Sequence, residues 1–169
     1  CDLLGLQPEM IAEHLAEFKG TQRRFQILCE TDQGITVVDD YAHHPTEIAA
    51  TLGAVRAGWN RRVIAVFQPH RYSRTQFLLK EFTTAFADAD IIVLTDIFAP
   101  PPEKPIPGVS SEIMAEMMRT NGKEVHLIPE QADVADFLAE IVQPGDLVIT
   151  MGAGPIWKTA HEVCELLTR

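Results

Sequence analysis

The chain is organised around the stretch Ile35-Thr36-Val37-Val38-Asp39-Asp40-Tyr41-Ala42-His43-His44-Pro45-Thr46-Glu47. Its first four residues are typical of a strand, and the residues that follow it have a helical pattern of apolar positions. Pro45 fits the first helical position, where its missing N–H has no cost. A core needs none of the carboxylates, phenol and imidazoles in between, whereas a ligand site at the carboxyl end of a strand does. We therefore interpret the stretch as a functional strand-to-helix turn rather than a merely solvated one.

Strand-like and helical segments alternate along the rest of the chain. Two strands at 23–30 and 35–39 are separated by Thr31-Asp32-Gln33-Gly34, whose composition predicts a hairpin and hence an antiparallel pair. Further apolar runs predict strands at 63–67, 91–94, 125–128 and 147–150. Helical windows lie at about 46–57, 75–88, 111–120, 131–142 and 155–168. The pattern predicts an α/β, Rossmann-like three-layer domain with a mostly parallel sheet of about six strands and an antiparallel N-terminal hairpin strand.

The amino-terminal segment has a different character. Residues 8–18 predict a short helix that Gly20 ends. The chain starts at Cys1 rather than at a methionine, and its first residues already have an apolar pattern. We therefore expect a piece of a longer protein, in which residues 1–20 are a linker and short helix left from a preceding domain and residues 21–169 form one domain.

Composition excludes several classes of function. The 169 residues are 46% hydrophobic and 22% charged, which is typical of a globular domain. A formal net charge of −10 opposes binding to nucleic acid. No apolar run approaches the ~20 residues of a membrane span and no signal peptide opens the chain, so we expect a cytoplasmic protein. Cys1, Cys29 and Cys164 are odd in number and far apart, which favours reduced thiols in the core.

Polar residues that no core requires follow the predicted strands. They occupy residues 39–47, 68–75, 95–96 and 151–155, and the proline-rich loop 99–108 follows the third of these segments. Because the carboxyl ends of parallel strands share one edge, where ligands bind, we expect these segments to meet. Three histidines and two arginines of this acidic chain lie in them, which predicts an anionic small ligand. These residues are His43, His44, His70, Arg71 and Arg74.

Three features of this edge have alternative interpretations. Arg71 and Arg74 share a face if the helix has already begun there, and can then clamp a carboxylate or phosphate; otherwise they are solvated charges. Gly152-Ala153-Gly154 allows backbone N–H groups to approach an anion, but glycine also serves simple tight turns. The histidines and aspartates could bind a metal ion, yet adjacent side chains diverge and no His-x-x-x-His or Cys pair is present. We therefore expect no metal held by protein ligands.

Five strings in order cover nearly the whole chain and resemble the carboxyl-terminal domain of the Mur ligases. They are GTQRRF (20–25), DDYAHHPTE (39–47), FQPHRYSRT (67–75), KPIPG (104–108) and GAGPIW (152–157). The strings are most similar to those of the branch that adds L-alanine to UDP-N-acetylmuramate. One departure is Pro155, where the family leads us to expect an aspartate or asparagine.

The resemblance implies an ATP-dependent enzyme of cell-wall precursor synthesis, which activates a carboxylate as an acyl phosphate for attack by the amine. It implies that Asp40 contacts the nucleotide ribose and that Tyr41, His43, Arg71 and Arg74 surround the amino acid. No catalytic residue is assigned to this domain. No GxxxxGK[ST] phosphate loop is present in the 169 residues, so ATP and Mg²⁺ are expected to be held mainly by a central domain of the same enzyme.

Rival interpretations come from three classes. A murein-peptide ligase, which attaches a recycled peptide to the same sugar, is a relative for which we expect a string different from that at 70–74. A non-catalytic module that binds an anionic metabolite would share the edge but lack the chemistry. A metallohydrolase would be recognised by its metal content.

Overall fold

The computed structural model describes residues 7–17 and 20–168 of the chain. The apolar pattern expected in the first six residues therefore lies outside the described part, as does residue 18, the end of the predicted first helix. A six-stranded sheet with helices on both faces forms the body of the domain.

The elements follow the predicted alternation. The strands are β1 (Gln26–Glu30), β2 (Thr36–Asp40), β3 (Val63–Phe67), β4 (Ile91–Leu94), β5 (Glu124–Leu127) and β6 (Leu147–Met151). The α-helices are α1 (Pro8–Ala16), α2 (Pro45–Gly58), α3 (Tyr72–Phe77), α4 (Leu79–Ala85), α5 (Ser111–Thr120), α6 (Val134–Ile141) and α7 (Trp157–Leu167). Within the described residues, none of these helices is long and apolar enough to cross a membrane.

The sheet order is β1-β2-β6-β3-β4-β5. The polar segments that follow β2, β6 and β3 therefore lie side by side. β1 pairs with β2 antiparallel, and all the other neighbours are parallel. One apolar layer joins the sheet to α2, α4 and α5, and the other joins it to α6 and α7. The predicted α/β class, three layers and six strands are confirmed, with the antiparallel hairpin at the amino-terminal edge.

Two boundaries differ from the prediction for local backbone reasons. The strand expected to begin at residue 23 begins at Gln26, because Arg23 and Phe25 have left-handed backbone angles (φ 56° and 46°) that a strand does not allow. The single helix expected at 75–88 starts earlier and is divided at Leu78 (φ −113°, ψ 18°). The apolar face continues across that residue, so periodicity could not reveal the division.

The expectation of three reduced cysteines is wrong for Cys29 and Cys164, which form a disulfide in the structure. Cys29 lies in β1 and Cys164 in α7, and this helix packs against that strand. The two residues are 135 positions apart along the chain, so only the fold brings them together.

Candidate active site at the carboxyl edge of the sheet

Three segments meet where β2, β3 and β6 end, and we call residues 39–47, 68–75 and 152–155 together the rim. Backbone hydrogen bonds join them: Gly152 N–H donates to the Asp40 carbonyl (3.3 Å) and Gln68 N–H donates to the Met151 carbonyl (3.1 Å). The predicted convergence of these segments is confirmed. The sheet order places β6 between the other two strands, so its glycine loop lies at the centre of the rim.

The two aspartates at the end of β2 are buried and hold backbone in place. Asp40 accepts hydrogen bonds from Ala42 N–H at Oδ1 (2.7 Å) and from Phe25 N–H at Oδ2 (2.8 Å). Asp39 accepts from the Thr150 hydroxyl (2.8 Å) and from Arg23 Nε (2.9 Å). In this conformation both oxygens of Asp40 are engaged by two loops, and its contact with a ribose stays a prediction.

The histidine turn is built as a helix start. His44 is the N-cap of α2, and its ring Nδ1 accepts from Thr46 N–H (3.4 Å). Glu47 Oε2 accepts from the backbone N–H groups of His43 (3.0 Å) and His44 (3.2 Å). Burial raises the pKa of Glu47, but these backbone hydrogen bonds together with the charges of His43 and Arg24 outweigh it, so the pKa is lowered. His44 and Glu47 therefore form a capping box with Pro45 in the first turn, as its sequence position predicts.

Tyr41, His43 and His70 form a row of rings along the rim. The Tyr41 and His43 ring centroids are 5.1 Å apart, and those of His43 and His70 are 6.3 Å apart. His43 Nδ1 donates to the Tyr41 carbonyl (3.0 Å), so this bond occupies one of the two ring nitrogens. Arg74 Nη1 lies 3.4 Å from His70 Nδ1. Burial, then the charges of Arg74, Arg71 and His43, lower the pKa of His70 and so favour its neutral form.

Arg71 stands before its helix in a strained conformation. It is the N-cap residue of α3 with φ 73°, an angle that residues other than glycine rarely adopt. Its N–H donates to the Phe98 carbonyl (2.9 Å), and its own carbonyl accepts from the N–H of Thr75 (3.1 Å). The clamp required that the helix had already begun at Arg71, so that Arg71 and Arg74 would share one of its faces. Because α3 begins at Tyr72, this condition is not met. The Arg71 side chain is exposed beside the partly buried Arg74 and His70.

The proline-rich loop is fixed onto the rim, which its sequence did not reveal. Glu103 Oε1 accepts from both the backbone N–H (3.0 Å) and the hydroxyl (2.6 Å) of Ser73. The hydroxyl and backbone hydrogen bonds lower the pKa of Glu103. The loop is therefore hydrogen-bonded to the segment that carries Arg71 and Arg74.

The glycine loop after β6 approaches β3 closely. A Cβ on Gly154 would collide with Gln68 Oε1, which is buried and has no hydrogen-bond partner within the described residues. Gln68 Nε2 donates to Gln131 (3.2 Å), whose own Nε2 donates to the Pro155 carbonyl (3.1 Å). In this way two glutamines tie Pro155, the departure from the family pattern, to the end of β3.

Two arginines before β1 belong to the site although the sequence interpretation gave them no role. The guanidinium carbons of Arg23 and Arg24 lie 5.0 Å and 5.3 Å from the centroid of the Tyr41 ring. They stand in the string at 20–25 that carries part of the family resemblance, so that string was the available signal. In the described part of the chain, no group of three or more His, Cys, Asp or Glu side chains is placed to hold a metal ion.

The fold and the rim define a Rossmann-like α/β domain with cationic and aromatic side chains at the carboxyl edge of its sheet. A family model described as "Mur ligase, glutamate ligase domain" matches residues 23–154. The chain therefore belongs to the Mur ligase family.

Individual relatives agree with this assignment. The UDP-N-acetylmuramate–L-alanine ligase of Symbiobacterium thermophilum is 53% identical over 98% of this chain and 34% of its own length. The enzyme of the same name from Trichlorobacter lovleyi is 53% identical over 94% of this chain and 35% of its own length. The crystal structure of the UDP-N-acetylmuramate–alanine ligase of Thermotoga maritima has a TM-score of 0.80 at 27% identity, over 98% of this chain and 34% of that chain. The chain thus spans about a third of the length of these proteins.

Proposed function

We propose that the chain is the carboxyl-terminal domain of a cytoplasmic, ADP-forming ligase that joins L-alanine to UDP-N-acetylmuramate in peptidoglycan precursor synthesis. The observation that carries this proposal is the rim, in which Tyr41 and His43 follow β2 while Arg71 and Arg74 follow β3, on either side of β6. The relatives that share 53% identity with nearly the whole chain bear this activity in their names. Residues 21–169 form the domain, and residues 1–20 link it to the preceding one.

The incoming amino acid is assigned to the arginine side of the rim. The exposed Arg71 offers a planar, always-charged donor pair that suits an alanine carboxylate. Arg74 extends the same positive region and is held beside His70. Tyr41 and His43 line the adjoining surface. The Nδ1 of His43 is bonded to the Tyr41 carbonyl, and its Nε2 lies on the other side of the ring. Because the neutral His70 adds no charge, the attraction for an anion comes from the arginines.

ATP and Mg²⁺ are assigned mainly to a central domain outside this chain. The chain offers only part of a nucleotide site: Asp40 for the ribose, once a ligand competes with its backbone partners, and the backbone N–H groups of Ala153 and Gly154 in the glycine loop. Positive charge at the rim also suits the phosphates of an acyl phosphate formed from the muramoyl carboxylate. Closure of the domains would bring the rim to the reacting groups.

The alternatives predict different substrates. A murein-peptide ligase would accept a peptide in place of L-alanine. The solved murein-peptide ligase of Psychrobacter arcticus shares the fold (TM-score 0.69) at 20% identity over 92% of this chain. A binding module would take up an anionic metabolite without turnover, and a metallohydrolase would contain a stoichiometric metal ion.

Steady-state release of ADP by the full-length protein tests the proposal. We expect release that depends on both UDP-N-acetylmuramate and L-alanine, with little activity when the amine is the tripeptide of cell-wall recycling. The 169-residue chain alone should show no turnover and bind ATP and L-alanine with dissociation constants on the order of millimolar, about 4 kcal/mol each, since it offers half a site. Micromolar binding of ATP to the chain, or preference of the full-length protein for the peptide, would contradict the proposal.

A further inference from the structure

We propose that Arg23 is a positioning residue that holds the Tyr41 ring and the Gly152 peptide in the arrangement the rim needs. The inference rests on the proposed function, since it assigns Arg23 a part in amino-acid binding through Tyr41. Arg23 stands in one of the strings that carry the family resemblance, but that resemblance gave it no role, and the polar segments after the strands do not include it.

Arg23 is the one guanidinium in the described residues that joins the ends of β2 and β6. Its Nε donates to Asp39 Oδ2 (2.9 Å), and its Nη2 donates to the Gly152 carbonyl (2.6 Å). Asp39 is 2% exposed and Arg23 23% exposed, so the ion pair is shielded from water on the carboxylate side. Two donors of one rigid plane thus fix the distance between a buried carboxylate and the glycine loop.

The contact with Gly152 determines how the next peptide is oriented. In a trans peptide the carbonyl and the following N–H point in opposite directions. Because Arg23 holds the Gly152 carbonyl, the Ala153 N–H is directed away from Arg23. Neither Ala153 N–H nor Gly154 N–H donates a hydrogen bond within the part of the chain that the structure describes. Arg23 therefore determines which way the Ala153 N–H faces, at the start of the segment that also carries the Gly154 N–H.

The same residue also supports Tyr41 from two sides. Tyr41 N–H donates to the Arg23 carbonyl (2.7 Å), and the guanidinium covers the Tyr41 ring at 5.0 Å. Arg23 reaches this position with φ 56°, which its N–H stabilises by donating to Gln26 Oε1 (2.9 Å). A left-handed arginine kept in place by backbone, carboxylate and ring contacts is a strained conformation that the surrounding structure determines.

The opposite edge of the sheet offers a matched control. Arg62 likewise joins a buried carboxylate, Asp146 (2.6 Å), to a carbonyl, that of Ile141 (2.9 Å), but it lies far from the rim at the amino ends of the strands. A variant of Arg62 reports the cost of losing such an ion pair without any effect on Tyr41.

The first experiment needs no activity. The chain has two tyrosines, so ring-labelled tyrosine gives two NMR signals that Tyr41→Phe assigns. We expect Arg23→Lys and Arg23→Met to shift the Tyr41 ring signal, and Arg62→Ala to leave it unchanged. If the Tyr41 ring signal were unchanged in both Arg23 variants, the positioning role would be overturned.

The second experiment measures the KM of the full-length enzyme for L-alanine. Arg23→Lys keeps the charge beside Asp39, but its single ammonium cannot also hold Gly152 and cover Tyr41. It should recover most of the thermal stability lost in Arg23→Met while the KM stays about tenfold raised. Full recovery of the KM by lysine would overturn the proposal, because charge alone would then suffice.

A double-mutant cycle separates positioning from general destabilisation. If Arg23 acts through Tyr41, Arg23→Lys should change the KM for L-alanine much less in a Tyr41→Ala background than in the wild type. Additive effects would overturn the coupling. The proposed function can fail separately. If the Arg23 variants shift the Tyr41 ring signal but the full-length protein does not use L-alanine, the positioning of Tyr41 is supported and only the proposed function is wrong.

Discussion

The two edges of the sheet use the same residue type for different purposes. At the amino edge the arginines are paired: Arg62 with Asp146, Arg56 with Asp90, and Arg61 with the Thr36 hydroxyl. At the carboxyl edge the Arg71 side chain makes no hydrogen bond or ion pair within residues 7–17 and 20–168. An arginine whose donors are saturated by the fold stabilises it, and an arginine held out by a strained backbone has donors left for a ligand.

Arg23 resembles the arginines of both edges. It is paired with Asp39, as the amino-edge arginines are paired, and its guanidinium lies over the Tyr41 ring at the carboxyl edge. The comparison therefore predicts that substitutions at the amino edge change stability alone. Substitutions at the carboxyl edge should change ligand binding, with or without a change in stability.

The largest effect on stability is expected for Arg62→Ala. It leaves Asp146, which is 4% exposed, as a buried carboxylate without its cation. We expect a loss of about 3–5 kcal/mol in the free energy of unfolding, measured by urea titration of the chain. The exposed pair of Arg56 and Asp90 is the control, since Arg56→Ala should cost less than about 1 kcal/mol. A raised KM for L-alanine in Arg62→Ala would break the distinction between the edges.

The next effect is expected from reducing the disulfide, which also lies towards the amino edge, where Cys29 pairs with Val37 near the start of β2. Its loss frees a loop of more than a hundred residues in the unfolded chain, so we expect unfolding free energy to fall by about 2–4 kcal/mol. Unfolding curves with and without reductant measure this. The unfolding free energy of the double variant Cys29→Ser/Cys164→Ser should not depend on the reductant. If the reductant lowered it as much as in the wild type, the pairing of Cys29 with Cys164 would be refuted.

Arg71→Ala tests the carboxyl edge directly. Removing an exposed guanidinium should leave stability nearly unchanged but raise the KM of the full-length enzyme for L-alanine about ten- to a hundredfold, equivalent to ~1.5–3 kcal/mol. The KM for ATP should change far less. Arg71→Lys should not restore the KM fully, because an ammonium lacks the planar fork.

A glycine at the same position sharpens this test. Since Arg71 has φ 73°, Arg71→Gly should relieve strain and stabilise the chain by about 1 kcal/mol while still raising the KM for L-alanine. If the KM for ATP rose instead, Arg71 would belong to the phosphates rather than to the amino acid.

The sequence predicted the elements of the fold and the three segments of the rim, because both follow from local signals. Apolar runs of strand length and helical periodicity mark β2 to β6, and polar residues that no core requires mark their carboxyl ends. The hairpin was equally local: Gly34, with φ 74°, closes the turn that its position in Thr31-Asp32-Gln33-Gly34 predicted.

What the sequence could not predict depends on contacts between distant residues. The pairing of Cys29 with Cys164 needs α7 to lie on β1, and the docking of Glu103 on Ser73 needs the proline-rich loop to return to the rim. The role of Arg23 depends on a left-handed backbone angle that no residue type in its neighbourhood signals. Each of these features belongs to packing rather than to pattern.

Gly154→Ala should change both the stability of the chain and its binding of L-alanine. The added Cβ would meet Gln68 Oε1 and the Phe98 ring, so we expect destabilisation of about 1–3 kcal/mol together with weaker L-alanine binding. Gly58→Ala, at the end of α2 with open space around its Cβ, is the neutral control. In a Gln68→Ala background the penalty should shrink, and a penalty that persisted undiminished would point to another cause than this collision.

The smallest effect expected is a pH dependence of the unfolding free energy. It comes from His70, which lies at the carboxyl edge. Burial, followed by the charges of Arg74, Arg71 and His43, holds the pKa of His70 below its usual 6.5, while the nearby Glu103 opposes the shift. The unfolded chain therefore binds the proton first as the pH falls below about 6.5. The stability contributed by neutral His70 is present above that pH and is lost as the pH falls through the lower pKa of the folded state.

Urea titrations between pH 5 and 7.5, with the His70 ring signal followed by NMR, measure this dependence. His70→Gln should remove it, and Arg74→Met should weaken it because one of the opposing charges is gone. Arg62→Ala lowers stability at every pH but leaves the His70 titration in place, since Arg62 lies at the other end of the strands. An unchanged slope in His70→Gln would assign the acid sensitivity elsewhere. A His70 titration altered by Arg62→Ala would mean that the two edges are coupled through the sheet, and that their arginines do not act separately.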